Sequence, residues 1–505
     1  MIAKVQSAAA LGMYAYPVEI EVDVTTGLPQ FIVVGLPDQS IKESRERVRS
    51  AIKNSGYQFP PEKITINLAP ADIKKEGPAF DLPMALGLLA ATDVIPAERL
   101  APYLFLGELA LDGSLRPIKG AIVIAASLKN SKSFVVPKEN AYEAAMEKDA
   151  VIHPVNSLSE VIQFLRGEKT IPPISYIDPE RFLVPIEEPL NFSDVKGQHF
   201  AKRAVEIAVA GGHNLLLIGS PGSGKTMLAR RIPGILPPMD FEEALTLTKI
   251  YSVAGLTNGR SVIRERPFRS PHHSISQVAL VGGGPWPRPG EVSLAHGGVL
   301  FLDEFPEFKR DAIESLRSPL EDGQITISRV KMQITYPARI LLVAAMNPCP
   351  CGFLSDPRRA CRCSLSQIQK YKAKISGPIL DRIDLHVEVP TLSYQTLASD
   401  EPAENSEAIR SRIVRYREIQ SARYRDRDYN LNSLMRSRDL KQFAKPDAEG
   451  RKLMEMAMRE LHLSARAYYK ILKVARTIAD LASEENIKSE HIAEAIQYRT
   501  LDRQW

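Results

Sequence analysis

Residues able to do chemistry fall in three places along this chain. Gly219-Ser220-Pro221-Gly222-Ser223-Gly224-Lys225-Thr226 has the glycine, lysine and hydroxyl spacing that builds a cradle for a polyphosphate. The glycines let the backbone turn tightly so that several N–H groups and a helix N-terminus face the phosphates. By type, Lys225 would sit on the β- and γ-phosphates of ATP and the Thr226 hydroxyl on Mg²⁺. Asp303 and Glu304 end an apolar run, where the first carboxylate would hold Mg²⁺ through its water shell and the second would polarise an attacking water. All four cysteines lie between Cys349 and Cys363, paired as Cys349-Pro350-Cys351 and Cys361-Arg362-Cys363. In a reducing compartment such a cluster points to tetrahedral Zn²⁺, although the one-residue spacing is tighter than usual and four idle thiols remain an alternative.

The flanking elements can position these groups. Leu215-Leu216-Leu217-Ile218 reads as a buried parallel strand before the cradle, and Met227 to Ile232 as the helix after it. Val299-Leu300-Phe301-Leu302 delivers Asp303 and Glu304, while Ile340 to Ala345 is a further buried strand ending near Asn347. Acids at a strand C-terminus lie where open parallel sheets collect ligands. Between these strands, Asn258 to Gly290 is rich in glycine, proline and arginine and is too long for an ordinary connection. Thr326 to Thr335 reads as two short strands with a basic tip.

In the first third, Val18 to Val24 alternates as a half-exposed strand, and Phe31–Val34 and Ile64–Leu68 are further strands. Ser40-Ile41-Lys42-Glu43 has capping-box spacing for a helix to about Asn54, and a second helix should cover Leu82 to Ala91. The divisions that follow are a mixed α/β unit over 1–165, a proline-rich linker over 166–190, a phosphate-loop unit over 191–393 and a helical unit over 394–505. The 505 residues exceed one core, and 44% hydrophobic with 25% charged content is ordinary for a globular protein. No apolar run reaches about 18 residues and no secretory signal is legible at the start, so no membrane span and a cytoplasmic location are expected. A net charge of +5 permits nucleic-acid binding without requiring it.

The order of phosphate loop, Val299 to Glu304, Asn347, Leu380-Asp381-Arg382-Ile383-Asp384 and Ser464-Ala465-Arg466 resembles an AAA+ ATPase. Arg269-Ser270-Pro271-His272-His273, Gly283 to Glu291 and Ser376 to Arg382 carry a closer resemblance to the magnesium-chelatase-like branch, and within it to the ComM/YifB family over nearly the whole length. The fold this implies is a parallel-sheet AAA+ core with a C-terminal helical lid. The resemblance makes Asn347 the sensor of the γ-phosphate, Arg382 an arginine finger acting in a neighbouring subunit, and Arg466 a second sensor. A finger supplied in trans implies a ring, most simply a homo-hexamer. On the residues alone, Arg382 could instead pair with Asp381 or Asp384. The insert and the basic hairpin would line a central pore, with Arg329, Lys331, Arg269, Arg288 and Trp286 as candidates for contacts to phosphates and bases.

The first unit is similar to the Lon-type proteolytic domain, of the ribosomal-S5-domain-2-like fold, in its strands and in Lys75 to Asp81 and Pro117 to Gly120. Where that family carries its nucleophilic serine this chain has Ala79, and the helix after Gly120 lacks the family's lysine, so a non-proteolytic domain is expected. The resemblance implies a branch-migration helicase acting on single-stranded and branched DNA during recombination and natural transformation, with recombination proteins as possible partners. A chelatase-type motor subunit and a protein remodeller or scaffold are the alternatives.

Overall fold

A computed structural model of the chain describes residues 2–130, 132–174, 176, 190–329, 332–354, 356, 358–398, 403–461 and 463–499. Lys331 and residues 175 and 177–189 of the linker expected over 166–190 lie outside them. The alternation of the first third becomes a sheet face: along β2 (Tyr14–Thr25) Val18, Ile20 and Val22 are buried while Glu19 and Glu21 are half-exposed. With β1 (Ile2–Leu11), β3 (Gln30–Val34), β4 (Lys63–Ala69), β5 (Tyr103–Phe105), β8 (Ser133–Pro137) and β9 (Ile152–Val155) it forms a seven-stranded mixed sheet in the order β3-β4-β2-β1-β5-β8-β9. A small ribbon, β6 (Glu108–Leu109) with β7 (Leu115–Arg116), stands apart. Helix Asp81–Ala91, buried along its whole length, packs on β1 and β2. Helix Gln39–Asn54 covers it in turn. Its cap is Asp38, whose Oδ1 accepts from the Ile41 N–H at 2.8 Å, so Ser40 of the expected capping box lies inside the helix.

The second sheet is wholly parallel. Its strands are β10 (Leu215–Ile218), β11 (Phe268–Arg269), β14 (Val299–Leu302), β17 (Leu341–Met346) and β18 (Leu385–Glu388), in the order β11-β14-β17-β10-β18. β10, β14 and β17 are buried along their full length, as continuous apolar runs in a sheet covered on both faces must be. One face shares a core with helix His199–Gly211 and the C-terminal helices Ser406–Arg423, Ala448–Glu460, Ala465–Leu481 and Ser489–Gln497. The other packs on the hairpin β15 (Gln324–Arg329) and β16 (Met332–Pro337). The stretch from Asn258 to Gly290 holds more structure than its composition suggests. It contains β11, helix Gln277–Val281 and a two-stranded ribbon of β12 (Gly282–Gly283) with β13 (Arg288–Pro289). Phe268 stacks on Phe301 with ring centroids 5.8 Å apart, which docks β11 as an edge strand.

The two sheets are joined by an apolar core of their own. Ile122 and Val123 pack with Leu245, Leu247, Val262 and Ile263. The Gly120 N–H donates to the carbonyl and hydroxyl oxygens of Ser252 at 3.2 and 3.1 Å, and Lys249 reaches Glu147 at 2.5 Å. Among the described residues no helix is long and apolar enough to cross a membrane.

Candidate functional site: a phosphate loop at the edge of the parallel sheet

The C-terminal ends of β10, β14, β17 and β11 converge on a cavity of about 680 Å³. Pro221 to Met227 line one side, Asp303, Glu304 and Asn347 another, and Ser270 to His273 a third. Gly224 enters the helix at φ +97°, a left-handed conformation that favours glycine. That helix runs only from Lys225 to Ala229, shorter than the sequence pattern suggests, and a 3₁₀ turn at Ile232–Ile235 follows. Pro233 has no N–H to continue the α-helical ladder and its ring crowds the carbonyl four residues back.

The residues proposed for phosphate chemistry meet here. Thr226 Oγ1 donates to Asp303 Oδ2 at 2.8 Å, which brings together the hydroxyl and carboxylate suited to Mg²⁺. Lys225 Nζ is buried against the Gly219 and Ser220 carbonyl oxygens at 2.6 and 3.0 Å and Asn347 Oδ1 at 3.3 Å. Desolvation lowers the Lys225 pKa while Asp303 raises it. The Ser223 hydroxyl is buried without a protein partner, a donor suited to a phosphate oxygen. Glu304 has left-handed backbone at φ +53° and its side chain is 59% exposed, with Oε2 3.1 Å from His273 Nδ1. The His272 ring lies on that of His273 at 4.0 Å between centroids.

Arg382 and Arg466 do not line this cavity. Arg382 donates to the carbonyl oxygens of Arg317 and Pro378 at 3.2 and 2.6 Å and pairs with Glu321, so neither Asp381 nor Asp384 is its partner. Arg466 Nη1 lies 3.2 Å from the carboxylate of Asp381, the residue that precedes Arg382. Asp384 instead joins a buried group with Lys470 at 2.5 Å and His213. Lys470 and His213 hold its carboxyl far below the usual carboxylate range against the opposing effect of burial. Among the described residues none that lines the cavity comes from 394–505, and the C-terminal helices share a core with one face of the sheet.

The candidates for nucleic-acid contact divide. The ribbon and the hairpin touch: Arg329 Nε donates to the Gly284 carbonyl at 3.3 Å and the Tyr336 hydroxyl to the Pro287 carbonyl at 2.9 Å. Arg288 and Arg329 are exposed on them and Trp286 is half-buried. Arg269 departs from the expectation, because Glu291 binds its guanidinium through two bonds of 2.6 and 2.7 Å. A bidentate partner fixes it as part of the β11 edge and leaves it a poor phosphate ligand.

The four thiols gather into one knuckle. Cys349 and Cys351 Sγ are 3.4 Å apart, each is 3.6 Å from Cys361 Sγ, and all four sulfurs including Cys363 lie within 4.8 Å. A tetrahedral site with Zn–S bonds of about 2.3 Å needs sulfurs about 3.8 Å apart, so the donor set fits Zn²⁺. Backbone N–H groups of Arg362 and Phe353 bring the Cys351 thiol down to about 6.

Two residues that the sequence reading left without a role are prominent. His273 lies in the Arg269-Ser270-Pro271-His272-His273 stretch, and only the fold brings it to the cavity and to Glu304. Gln198, at φ +56°, donates from Nε2 to the carbonyl oxygens of Ser223 at 3.1 Å and Pro390 at 2.7 Å. Its partners are distant in sequence, and nothing local announces them.

A five-stranded parallel sheet carrying this loop and these acids at its C-terminal edge defines a P-loop ATPase core of the AAA+ class, which implies ATP and Mg²⁺ as ligands. Family models described as magnesium chelatase, subunit ChlI, match residues 191–397, as subunit ChlI of Mg-chelatase residues 20–140, and as its C-terminal part residues 403–499. The chain is 46% identical over 501 residues to protein YifB of Escherichia coli, covering 99% of this chain and 97% of that one. It is 44% identical over 505 residues to competence protein ComM of Haemophilus influenzae, covering 99% and 98%. Lon protease 2 of Bacillus subtilis matches at 30% over 145 residues, 27% of this chain and 26% of that protein. The chain belongs to the ComM/YifB family of magnesium-chelatase-like AAA+ proteins.

Proposed function

We propose that this chain is a ring-forming, ATP-driven DNA motor, a branch-migration helicase that promotes integration of single-stranded DNA during homologous recombination and natural transformation. The observation that carries the reading is the division of one catalytic set between two places. Lys225, Thr226, Asp303, Glu304 and Asn347 line the cavity, while Arg382, bound to Glu321, and Arg466, bound to Asp381, do not. A neighbouring copy in a ring, most simply a hexamer, would bring both arginines to this cavity to stabilise transition-state charge. Thr226 and Asp303 would hold Mg²⁺, which neutralises charge on the phosphates, and Glu304, released from His273, would orient and polarise water.

The DNA part rests on two supports. ComM is named a competence protein, and exposed Arg288 and Arg329 lie on a ribbon and hairpin that pack together. Cations on such projections suit phosphates, with Trp286 and Lys331 as further candidates. The Lon-like unit, with Ala79 at the position of the nucleophile, serves assembly or DNA contact, and Zn²⁺ occupies the cysteine knuckle. The test is ATP hydrolysis with no DNA, single strands, duplex and branched junctions, together with junction unwinding, against a Glu304→Gln control. DNA stimulation and unwinding that the control abolishes support the motor. The chelatase description of the family models favours a second reading, a motor subunit of a metal chelatase, and hydrolysis indifferent to every DNA would turn the assignment toward it.

A further inference from the structure

The cysteine knuckle is built into the wall of the phosphate loop. β17 runs directly through Asn347 and Pro348 to Cys349, so the first sulfur lies two residues from the side chain that accepts a bond from Lys225. Gly352 turns the knuckle at φ +83°, and its N–H donates to the Cys349 carbonyl at 2.9 Å. A Cβ on Gly352 would stand 2.6 Å from Pro221 Cδ and 3.8 Å from Asn347 Cγ. The turn therefore rests on the phosphate loop with no room for a methyl group. On the far side, Ser364 immediately follows Cys363 and caps helix Leu365–Lys372 with a reciprocal Gln367 contact. That helix carries Tyr371, a buried side chain whose phenol lies close to the backbone N–H of Asn347. The chain from Asn347 to Tyr371 thus returns to its starting point, and the four sulfurs are the cross-link at its waist.

We propose that Zn²⁺ in the Cys349, Cys351, Cys361 and Cys363 knuckle holds Pro221 and Asn347 in place, so that metal occupancy sets the nucleotide affinity of the adjacent cavity. The inference rests on the ATPase reading above. Without the metal, nothing covalent joins the two cysteine pairs, Gly352 is released from Pro221, and Asn347 loses the frame that directs it at Lys225. Displacing a positioning group by about 1 Å costs up to about a hundredfold in a reaction or binding step that depends on it.

The test uses the full chain and a fluorescent ATP analogue. Metal content is measured on the purified protein, then after chelation, then after Zn²⁺ is restored, with analogue affinity titrated at each stage. The expected result is about one zinc per chain, an affinity loss of at least about tenfold on removal, and recovery on readdition. Because chelation could unfold the region, Gly352→Ala is the second arm. Its methyl group should weaken analogue binding by a similar factor while zinc stays stoichiometric and the circular dichroism is unchanged. Less than stoichiometric zinc after reconstitution overturns the metal site. Stoichiometric zinc with unaltered affinity in both arms overturns the coupling. A zinc-loaded chain that binds no analogue overturns the nucleotide reading and the coupling with it, and the metal content then stands as a separate result.

Discussion

His273 and Glu304 are the residues whose contact bears most directly on turnover. Their 3.1 Å approach holds the Glu304 carboxylate on a side chain of the cavity wall, when its proposed work is to orient water. His273→Ala should therefore raise ATP hydrolysis in the absence of DNA several-fold, a change of about 1 kcal/mol in the barrier. Steady-state hydrolysis decides it, and an unchanged or lower basal rate would remove His273 from any restraining role. At this scale the sequence was informative where function imposes a fixed local order. Gly219 to Thr226, Asp303 and Asn347 could be read from strand ends and spacing, and they meet within hydrogen-bonding reach. Partners remote in sequence could not be read: Gln198 bonds Pro390, and Arg382 pairs with Glu321 in place of either adjacent aspartate.

Among the elements, the ribbon and hairpin form one projection through the Tyr336 hydroxyl and the Arg329 guanidinium. Arg288→Ala combined with Arg329→Ala should weaken DNA binding in a way that depends little on sequence. Two lost phosphate contacts would lower the slope of log affinity against log salt by about 1.5 to 2. An unaltered slope would show that DNA does not lie on this projection. The buried strands were legible because apolar runs of four to six residues have few alternatives in a parallel sheet. β11 was not, since a two-residue edge strand has no periodicity and its anchor, Phe301, is supplied from elsewhere. The cap at Asp38 was missed for a related reason: Ser40 with Glu43 satisfied a spacing rule that Asp38 with Ile41 satisfies in the folded chain.

For the whole molecule, the placement of Arg382 makes a mixing experiment decisive. Lys225→Ala and Arg382→Ala should each be nearly inactive alone. Mixed, they should regain hydrolysis, because a ring can then pair an intact phosphate loop with an intact arginine from its neighbour. No recovery across all ratios, with ring formation verified by light scattering, would count against action in trans. A second prediction concerns the junction of the two sheets, where Glu143 is buried beside Ser252 and accepts from Asn140 Nδ2 at 2.7 Å. Burial pushes its carboxyl up to about 7, with the bond from Asn140 and the nearby Ser252 opposing. Below its ordinary value of 4.5 the folded and unfolded chains both hold the proton; between 4.5 and about 7 the unfolded chain loses it first, so stability falls as pH rises. Glu143→Gln cannot ionise, so its melting temperature should match that of the unaltered chain at pH 4 and exceed it at pH 8, by the equivalent of at most about 3 kcal/mol. Parallel melting profiles would refute the shift.

The shared core of Ile122, Val123, Leu245 and Leu247 changes how a truncation of this protein should be interpreted. Deleting the first 165 residues would strip Ile122, Val123 and Met146 from the apolar seam together with the acceptor of Lys249, leaving Met239, Leu245 and Val262 facing water. A dead or aggregating truncation would then report damage to the ATPase core, and would say nothing of what the Lon-like unit does for itself.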